Sequence, residues 1–294
     1  MILDCSKYVG PCRCGREHTL ETKKVVVEYH ALDKFDQYMD EVGLTGKRAV
    51  IYDTNTYNLP TLKHVRADQE IVLNAEGLHS EKGMIEDMMR QLDHPDVIVA
   101  VGSGTIMDFG RYPAYHLGIP FVAVPTLASS DGFTANICSI IIDGQKKSIP
   151  MQAAALVVCD LNVVSGAPLW LTVSGISDIL AKYISLADWK IAHLVSGEYY
   201  CPMVADLAQE ALTIMRKAAD DMAAGGKPDF EAMTMAQMIS GLTMQLLNHS
   251  RAASGAEHLM AHLVEMKPPR FENAHGMHLS LIHISEPTRH LRIS

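Results

Sequence analysis

Two groups of residues in this chain have types and spacings that could do chemistry. The first is the loop Val101-Gly102-Ser103-Gly104-Thr105-Ile106-Met107-Asp108, between a strand-like run at 96–101 and a helix-like run at 105–116. Glycines at such a junction let the backbone turn sharply and approach a ligand closely. The following helix aims its free N–H groups and positive dipole end at the loop, where a pyrophosphate fits. Another strand-like run, at 121–124, opens into Pro125-Thr126-Leu127-Ala128-Ser129-Ser130-Asp131-Gly132. Two polar, glycine-bearing loops at successive strand ends predict a ligand crevice at the carboxyl edge of a parallel sheet. Gly-Ser-Gly also serves as a plain βα turn, and the spacing is not the G-x-G-x-x-G dinucleotide fingerprint.

The second group lies in the second half. Ser174-Gly175-Ile176-Ser177-Asp178 places a carboxylate one turn into a long helical pattern. Ala256-Glu257-His258-Leu259-Met260-Ala261-His262 places two imidazoles four residues apart, on one helix face. Ala274-His275-Gly276 adds a third beside a glycine. One carboxylate and two histidines can hold a divalent cation and leave a position open for substrate. With 14 histidines in the chain, such clusters also arise by chance; His116, His193 and His249 read as core or surface residues. Cys12, Cys14 and His18 are three further metal-ligand types on a short N-terminal stretch, where surface placement is the competing reading.

The elements that must position these groups follow from periodicity. Amphipathic helices are expected at 31–42 and 80–92, and buried strands at 48–53, 69–73, 96–101, 121–124 and 155–160. The runs 137–142 and 147–149 around Asp143-Gly144 predict a hairpin. Strands alternating with helices imply a parallel sheet covered on both faces. After about Val163 the pattern turns helical, at 170–194, 198–222 and 230–248, with no strand between Val173 and Pro268. The expected fold class is therefore α/β: a Rossmann-like nucleotide-binding domain at 1–163, then an all-helical domain at 164–278 that carries the candidate metal ligands. Residues 279–294, beginning Leu279-Ser280-Leu281-Ile282-His283-Ile284-Ser285-Glu286-Pro287-Thr288, resemble a translated sequencing adapter. They are expected to be a non-native tail on a truncated second domain, with an ordinary polar tail as the alternative.

Composition sets outer bounds. The chain has 294 residues, 48% hydrophobic and 20% charged, as in a soluble globular protein. A net charge of −9 without a Lys/Arg block argues against nucleic acid. No apolar stretch is expected to span a membrane, the N-terminus lacks signal-peptide character, and six cysteines in so long a chain fit a reducing cytoplasm. The 17 methionines read mainly as core filling.

Taken together, Gly-Ser-Gly-Thr-x-x-Asp, Pro-Thr-x-x-Ser-Ser-Asp-Gly, Gly-x-x-Asp-x-x-x-Lys, Glu-His-x-x-x-His and His-Gly occur in this order from 102 to 276. The set resembles the polyol dehydrogenase superfamily of glycerol dehydrogenases, iron-containing alcohol dehydrogenases and 3-dehydroquinate synthases. Within it, Ser129 to Gly132, Ala187-Asp188-Trp189 and Cys12-x-Cys14-Gly15-x-x-His18 look most like the bacterial sn-glycerol-1-phosphate dehydrogenase branch.

The resemblance implies that Gly102, Ser103, Gly104, Thr105 and Ile106 cradle the dinucleotide pyrophosphate. Asp53 would meet the adenosine ribose, with a helix cap as its plainer role, and would favour NAD over NADP. Thr126 and Ser129 would contact the nicotinamide half, with Ala135 nearby where relatives often carry a hydroxyl. Asp178, His258 and His275 would bind nickel, zinc or iron, nickel being plausible for this branch. Asp131, Asp178 and His262 would be the catalytic set, Asp131 and His262 touching substrate. Lys182 is a candidate for the substrate phosphate or a plain surface lysine.

The implied reaction is reduction of dihydroxyacetone phosphate to sn-glycerol 1-phosphate with NAD(P)H, in phospholipid biosynthesis, by a cytoplasmic homodimer when full length. Nucleic acid and membrane are not expected partners. The alternatives are a glycerol dehydrogenase acting on an unphosphorylated polyol, a dehydroquinate synthase-like lyase, and a truncated NAD-binding fragment without turnover.

Overall fold

Uninterrupted runs of β-branched and small apolar residues build the sheet. In the computed structural model, which describes residues 1–260, the runs from Arg48 to Asp53 and from Val97 to Gly102 are buried along their whole length. A strand covered on both faces has no polar side to show, hence the missing alternation. In chain order the strands are β1 (Ile2–Asp4), β2 (Gly10–Pro11), β3 (Glu17–His18), β4 (Lys24–Glu28), β5 (Arg48–Asp53), β6 (Gln69–Leu73), β7 (Val97–Gly102), β8 (Phe121–Pro125), β9 (Ile137–Ile142), β10 (Gln145–Pro150) and β11 (Leu156–Asp160). The α-helices are α1 (Phe35–Glu41), α2 (Thr54–Tyr57), α3 (Lys82–Met89), α4 (Gly104–Leu117), α5 (Leu161–Val164), α6 (Leu169–Leu180), α7 (Lys182–Ser196), α8 (Pro202–Ala223) and α9 (Phe230–Leu247).

The main sheet runs in the order β1-β4-β11-β8-β7-β5-β6. Its strands are parallel except β1, which lies antiparallel on β4. From β5 the chain steps outward to β6, then returns to lay β7 on the other side of β5 and builds toward β8 and β11. That reversal is a topological switch point, where crevices open beyond the carboxyl ends of strands. The register of β5 on β7, from Arg48↔Val97 to Ile51↔Ala100, brings Asp53 and Gly102 to the same sheet edge.

The α/β class and its helical second part match the expectation. The hairpin of β9 and β10 turns at Asp143 and Gly144, both with positive φ (53° and 71°), as a two-residue hairpin turn requires. Besides the short elements β1, β2, β3, α2 and α5, which no sequence pattern announces, three features differ. The strand β4 was not read from sequence, although Val25, Val26 and Val27 are fully buried in it between charged Lys24 and Glu28. The single helix expected at 170–194 is two, α6 and α7, divided at Ala181, where the Lys182 ammonium folds back onto the Asp178 carbonyl at 2.9 Å. And Leu169–Ser196, taken as one stretch, is long and apolar enough to cross a membrane by length and composition. This corrects the expectation that no stretch would be. The stretch contains the buried Asp178–Lys182 ion pair.

A single apolar cluster runs from the sheet, including Val25, Ile98 and Phe121, into the helices through Leu212, Met215 and Met238. The helix α9 is buried around its circumference from Met233 to Leu246, and four of its methionines fill core space.

Candidate active site

The helix α4 starts at Gly104, directly after the carboxyl end of β7, with Ser103 as an N-cap whose side chain makes no capping bond. Its first-turn N–H groups are therefore available to a ligand. A Cβ on Gly102 would lie 2.8 Å from the Ile106 side chain, so glycine there is required by packing within the loop. Around Gly104 there is open space. Ser103, Gly104 and Thr105 line a cleft of about 690 Å³, as do Ser129, Asp131, Ala135 and His258. The two loops singled out from the sequence thus share one cavity, of a size usual for small-molecule sites.

Two expected cofactor residues stand behind that wall. Ile106 is fully buried, and Thr126 is 4% exposed with its N–H donated to the Gly102 carbonyl at 3.2 Å, tying the loops together. Asp53 ends β5 and caps α2: its carboxylate accepts the Thr56 N–H at 2.8 Å and the Thr56 hydroxyl at 3.1 Å. A carboxylate offers about four lone-pair sites, so the cap does not use up its acceptor capacity.

At the other wall the helices supply a buried charge network. The Lys182 ammonium, 1% exposed, donates to Asp178 Oδ1 at 2.9 Å, to the Asp178 carbonyl at 2.9 Å and to Asp131 Oδ2 at 3.0 Å. All three of its protons are thus engaged. The sequence reading of Lys182 as phosphate ligand or surface lysine is overturned: it neutralises carboxylates inside the protein. Asp178 Oδ2 accepts the Asp131 backbone N–H at 3.0 Å, and the Ser240 hydroxyl donates to Asp131 Oδ2 at 2.8 Å. Burial, reinforced by the like charge of Asp178, pushes the Asp131 carboxyl above the usual range against the pull of Lys182. Burial would lower the Lys182 ammonium, but Asp131 and Asp178 outweigh it and hold the group above its ordinary range.

Two carboxylates brought this close in a buried site favour a cation beside them, a role that Lys182 fills in part. The donor set, carboxylate oxygen and imidazole nitrogen, suits a divalent metal. Of the three expected ligands, Asp178 is buried beneath Asp131, and His258 lines the cleft. His275, His262 and the tail from 279 lie outside the described residues.

Several positioning residues escaped the sequence reading. Gln237 donates to the Ala128 carbonyl at 2.9 Å, and Gln245 donates to the Thr134 carbonyl, so α9 holds the loop at 128–135 from beneath. A Cβ on Gly241 would meet Thr134 Oγ1 at 2.1 Å and the Asp131 carbonyl at 2.3 Å; one on Gly175 would meet the Ala128 carbonyl at 2.1 Å. These glycines allow α9 and α6 to touch the loop. The signal was present: Gln237, Ser240, Gly241 and Gln245 follow helical spacing along one face of an otherwise apolar segment. Asp188 accepts the Ala256 N–H at 2.9 Å, capping the helical turn that carries His258.

Comparison with known proteins follows the same lines. A family model for iron-containing alcohol dehydrogenases matches residues 26–168. A glycerol-1-phosphate dehydrogenase (NAD(P)+) of Bacillus licheniformis is 35% identical over 278 residues, covering 91% of this chain and 69% of that protein. The enzyme of the same name from Geobacillus stearothermophilus is 37% identical, covering 94% of this chain and 71% of its own length. Among solved structures, a probable glycerol dehydrogenase of Sinorhizobium meliloti superposes with a TM-score of 0.66 at 21% identity, covering 81% of this chain and 68% of that one. An archaeal alcohol dehydrogenase from a Red Sea brine pool superposes with a TM-score of 0.72 at 15% identity, covering 93% and 74%.

Proposed function

The chain belongs to the glycerol-1-phosphate dehydrogenase family of NAD(P)-dependent oxidoreductases, and from that premise we propose that it reduces dihydroxyacetone phosphate to sn-glycerol 1-phosphate. One observation carries the proposal: a single cleft is lined both by the free N-terminus of α4 and by Asp131 and His258. Hydride transfer needs these two halves together, since the nicotinamide must meet the carbonyl it reduces.

In this reading the α4 N-terminus holds the pyrophosphate, Asp53 faces the ribose, and Ser129 and Ala135 border the nicotinamide, with Thr126 bracing the loop. Asp178, His258 and His275 would hold a divalent metal. When bound, the metal supplies Lewis acidity that stabilises negative charge on the carbonyl oxygen as hydride arrives. Asp131, fixed by Lys182 and Ser240, orients the substrate hydroxyls. His262, or a water chain, delivers the proton that completes the alcohol. The balance is one hydride from NAD(P)H and one proton, leaving NAD(P)+. The division at residue 163, nickel as the metal, a homodimer, a cytoplasmic location and a place in phospholipid biosynthesis complete this proposal.

The test is NADH oxidation by the purified chain with dihydroxyacetone phosphate and with dihydroxyacetone, each with and without chelator. Turnover of the phosphate alone, lost with chelator and in His258→Ala while that variant still binds NADH, is the expected result. Turnover of dihydroxyacetone alone would make the protein a glycerol dehydrogenase. NADH binding with turnover of neither would leave a nucleotide-binding chain.

A further inference from the structure

The hairpin of β2 and β3 carries Cys12, Cys14 and His18 on a tight turn: the Cys12 N–H bonds the Arg16 carbonyl at 2.9 Å, and the Gly15 N–H bonds the Cys12 carbonyl at 3.0 Å. Folding places a fourth group beside them, Cys201, at the N-cap of α8 and far away in sequence. The ligand atoms of Cys12, Cys14, His18 and Cys201 all lie within 4.8 Å of one another. The geometry points to a structural zinc site, with these three thiolates and one imidazole as a closed tetrahedral ligand set.

The distances support this. Zinc bonds of about 2.3 Å to sulfur and about 2.0 Å to nitrogen require tetrahedron edges of about 3.8 Å between sulfurs and about 3.5 Å between sulfur and nitrogen. Cys12 Sγ and Cys201 Sγ are 3.8 Å apart. His18 Nε2 stands 3.4 Å from Cys14 Sγ and 3.3 Å from Cys201 Sγ. A disulfide would use two of these sulfurs at about 2.05 Å and leave the third cysteine and the histidine without a purpose. Four soft or borderline donors select zinc over the oxygen-seeking cations.

The surroundings are those of a built ligand site. His18, 2% exposed, has Nδ1 2.7 Å from the Leu246 carbonyl, which fixes the tautomer that presents Nε2 as a lone pair to the sulfurs. The Tyr199 hydroxyl lies 3.1 Å from Cys14 Sγ. The Arg16 guanidinium sits over the Tyr199 ring at 3.5 Å, a cation beside a cluster whose three thiolates and Zn²⁺ sum to one negative charge. The zinc would join the N-terminal hairpin to the start of α8 and, through His18, to the last turn of α9. It is separate from the Asp178–His258 site and contributes nothing to the reaction chemistry, having no open position.

The test uses the full chain purified under reducing conditions and loaded with Zn²⁺ or Co²⁺. The expected cobalt protein shows thiolate-to-metal charge-transfer absorption with tetrahedral d–d bands. The zinc protein should release one metal per chain in step with mercurial titration of its thiols. Both signals should persist in Asp178→Asn/His258→Ala, which removes only oxygen and nitrogen ligands, and vanish in Cys201→Ser. Reduced wild-type protein that gives no thiolate–cobalt absorption overturns the site, as does a Cys12–Cys201 disulfide found by mass mapping of the protein as isolated. The wild-type spectrum decides the matter even if Cys201→Ser does not fold. It is also independent of whether dihydroxyacetone phosphate is turned over.

Discussion

Lys182 shows how one side chain changes meaning between sequence and structure. Its ammonium lies between Asp131 and Asp178, and removing it strands two buried carboxylates. Breaking a buried pair typically costs about 3–5 kcal/mol, so Lys182→Met should lower stability by about that amount in a denaturant titration. Adding Asp131→Asn should recover part of the loss, and an unchanged midpoint in the single variant would refute the network. The pH dependence has a definite sign. Because the folded state holds this ammonium above its ordinary range, its stabilisation is complete below about pH 10.4 and is lost as pH rises through the higher folded value. Lys182→Met should lack that alkaline loss. Asp131 and Asp178 were legible as candidate site residues because each sits in a polar, glycine-bearing motif. Lys182 was legible as the lysine of Gly-x-x-Asp-x-x-x-Lys, but its sharing by Asp131 and Asp178 was not, because Asp131 lies in a distant loop.

At the scale of elements, two glycines of similar appearance do opposite jobs. Gly104 opens α4 into open space, whereas Gly241 lies where α9 presses on the Asp131 loop. Gly104→Ala should leave thermal stability within about 0.5 kcal/mol while weakening NADH binding, because the added methyl points into room a pyrophosphate would use. Gly241→Ala should cost about 1–3 kcal/mol through overpacking and lower turnover by displacing Asp131. Calorimetry and NADH titration of the two variants check both statements; equal stability losses would refute the distinction. The strand–turn–helix around Gly102 was readable because local propensity and burial agree there. The break between α6 and α7 was not, because apolar periodicity runs straight through Ala181, and only the Lys182–Asp178 contact marks it.

Over the whole molecule, the cleft draws on the sheet edge, the loop at 128–135 and the helical turn after Gly255. A cofactor bound there should stabilise the fold as a unit, by about 2.7 kcal/mol at a hundred times its Kd. A single thermal transition that moves up with NADH is expected; no shift at saturating NADH would mean that the folded chain does not bind the cofactor. Sequence by itself determined the parallel strands other than β4, the glycine loop after β7, the hairpin at 143–144 and the change to helices after β11, since these rest on local propensity and periodicity. It also determined the motif order that points to the family. Tertiary structure alone decided what meets what. Ser240 reaches Asp131 across 109 residues, Cys201 reaches His18 across 183, and β4, from near the N-terminus, enters the sheet between β1 and β11. Such partners are chosen by the packing of α6 to α9 on the sheet, and close approach between distant segments leaves no periodic trace in either segment alone.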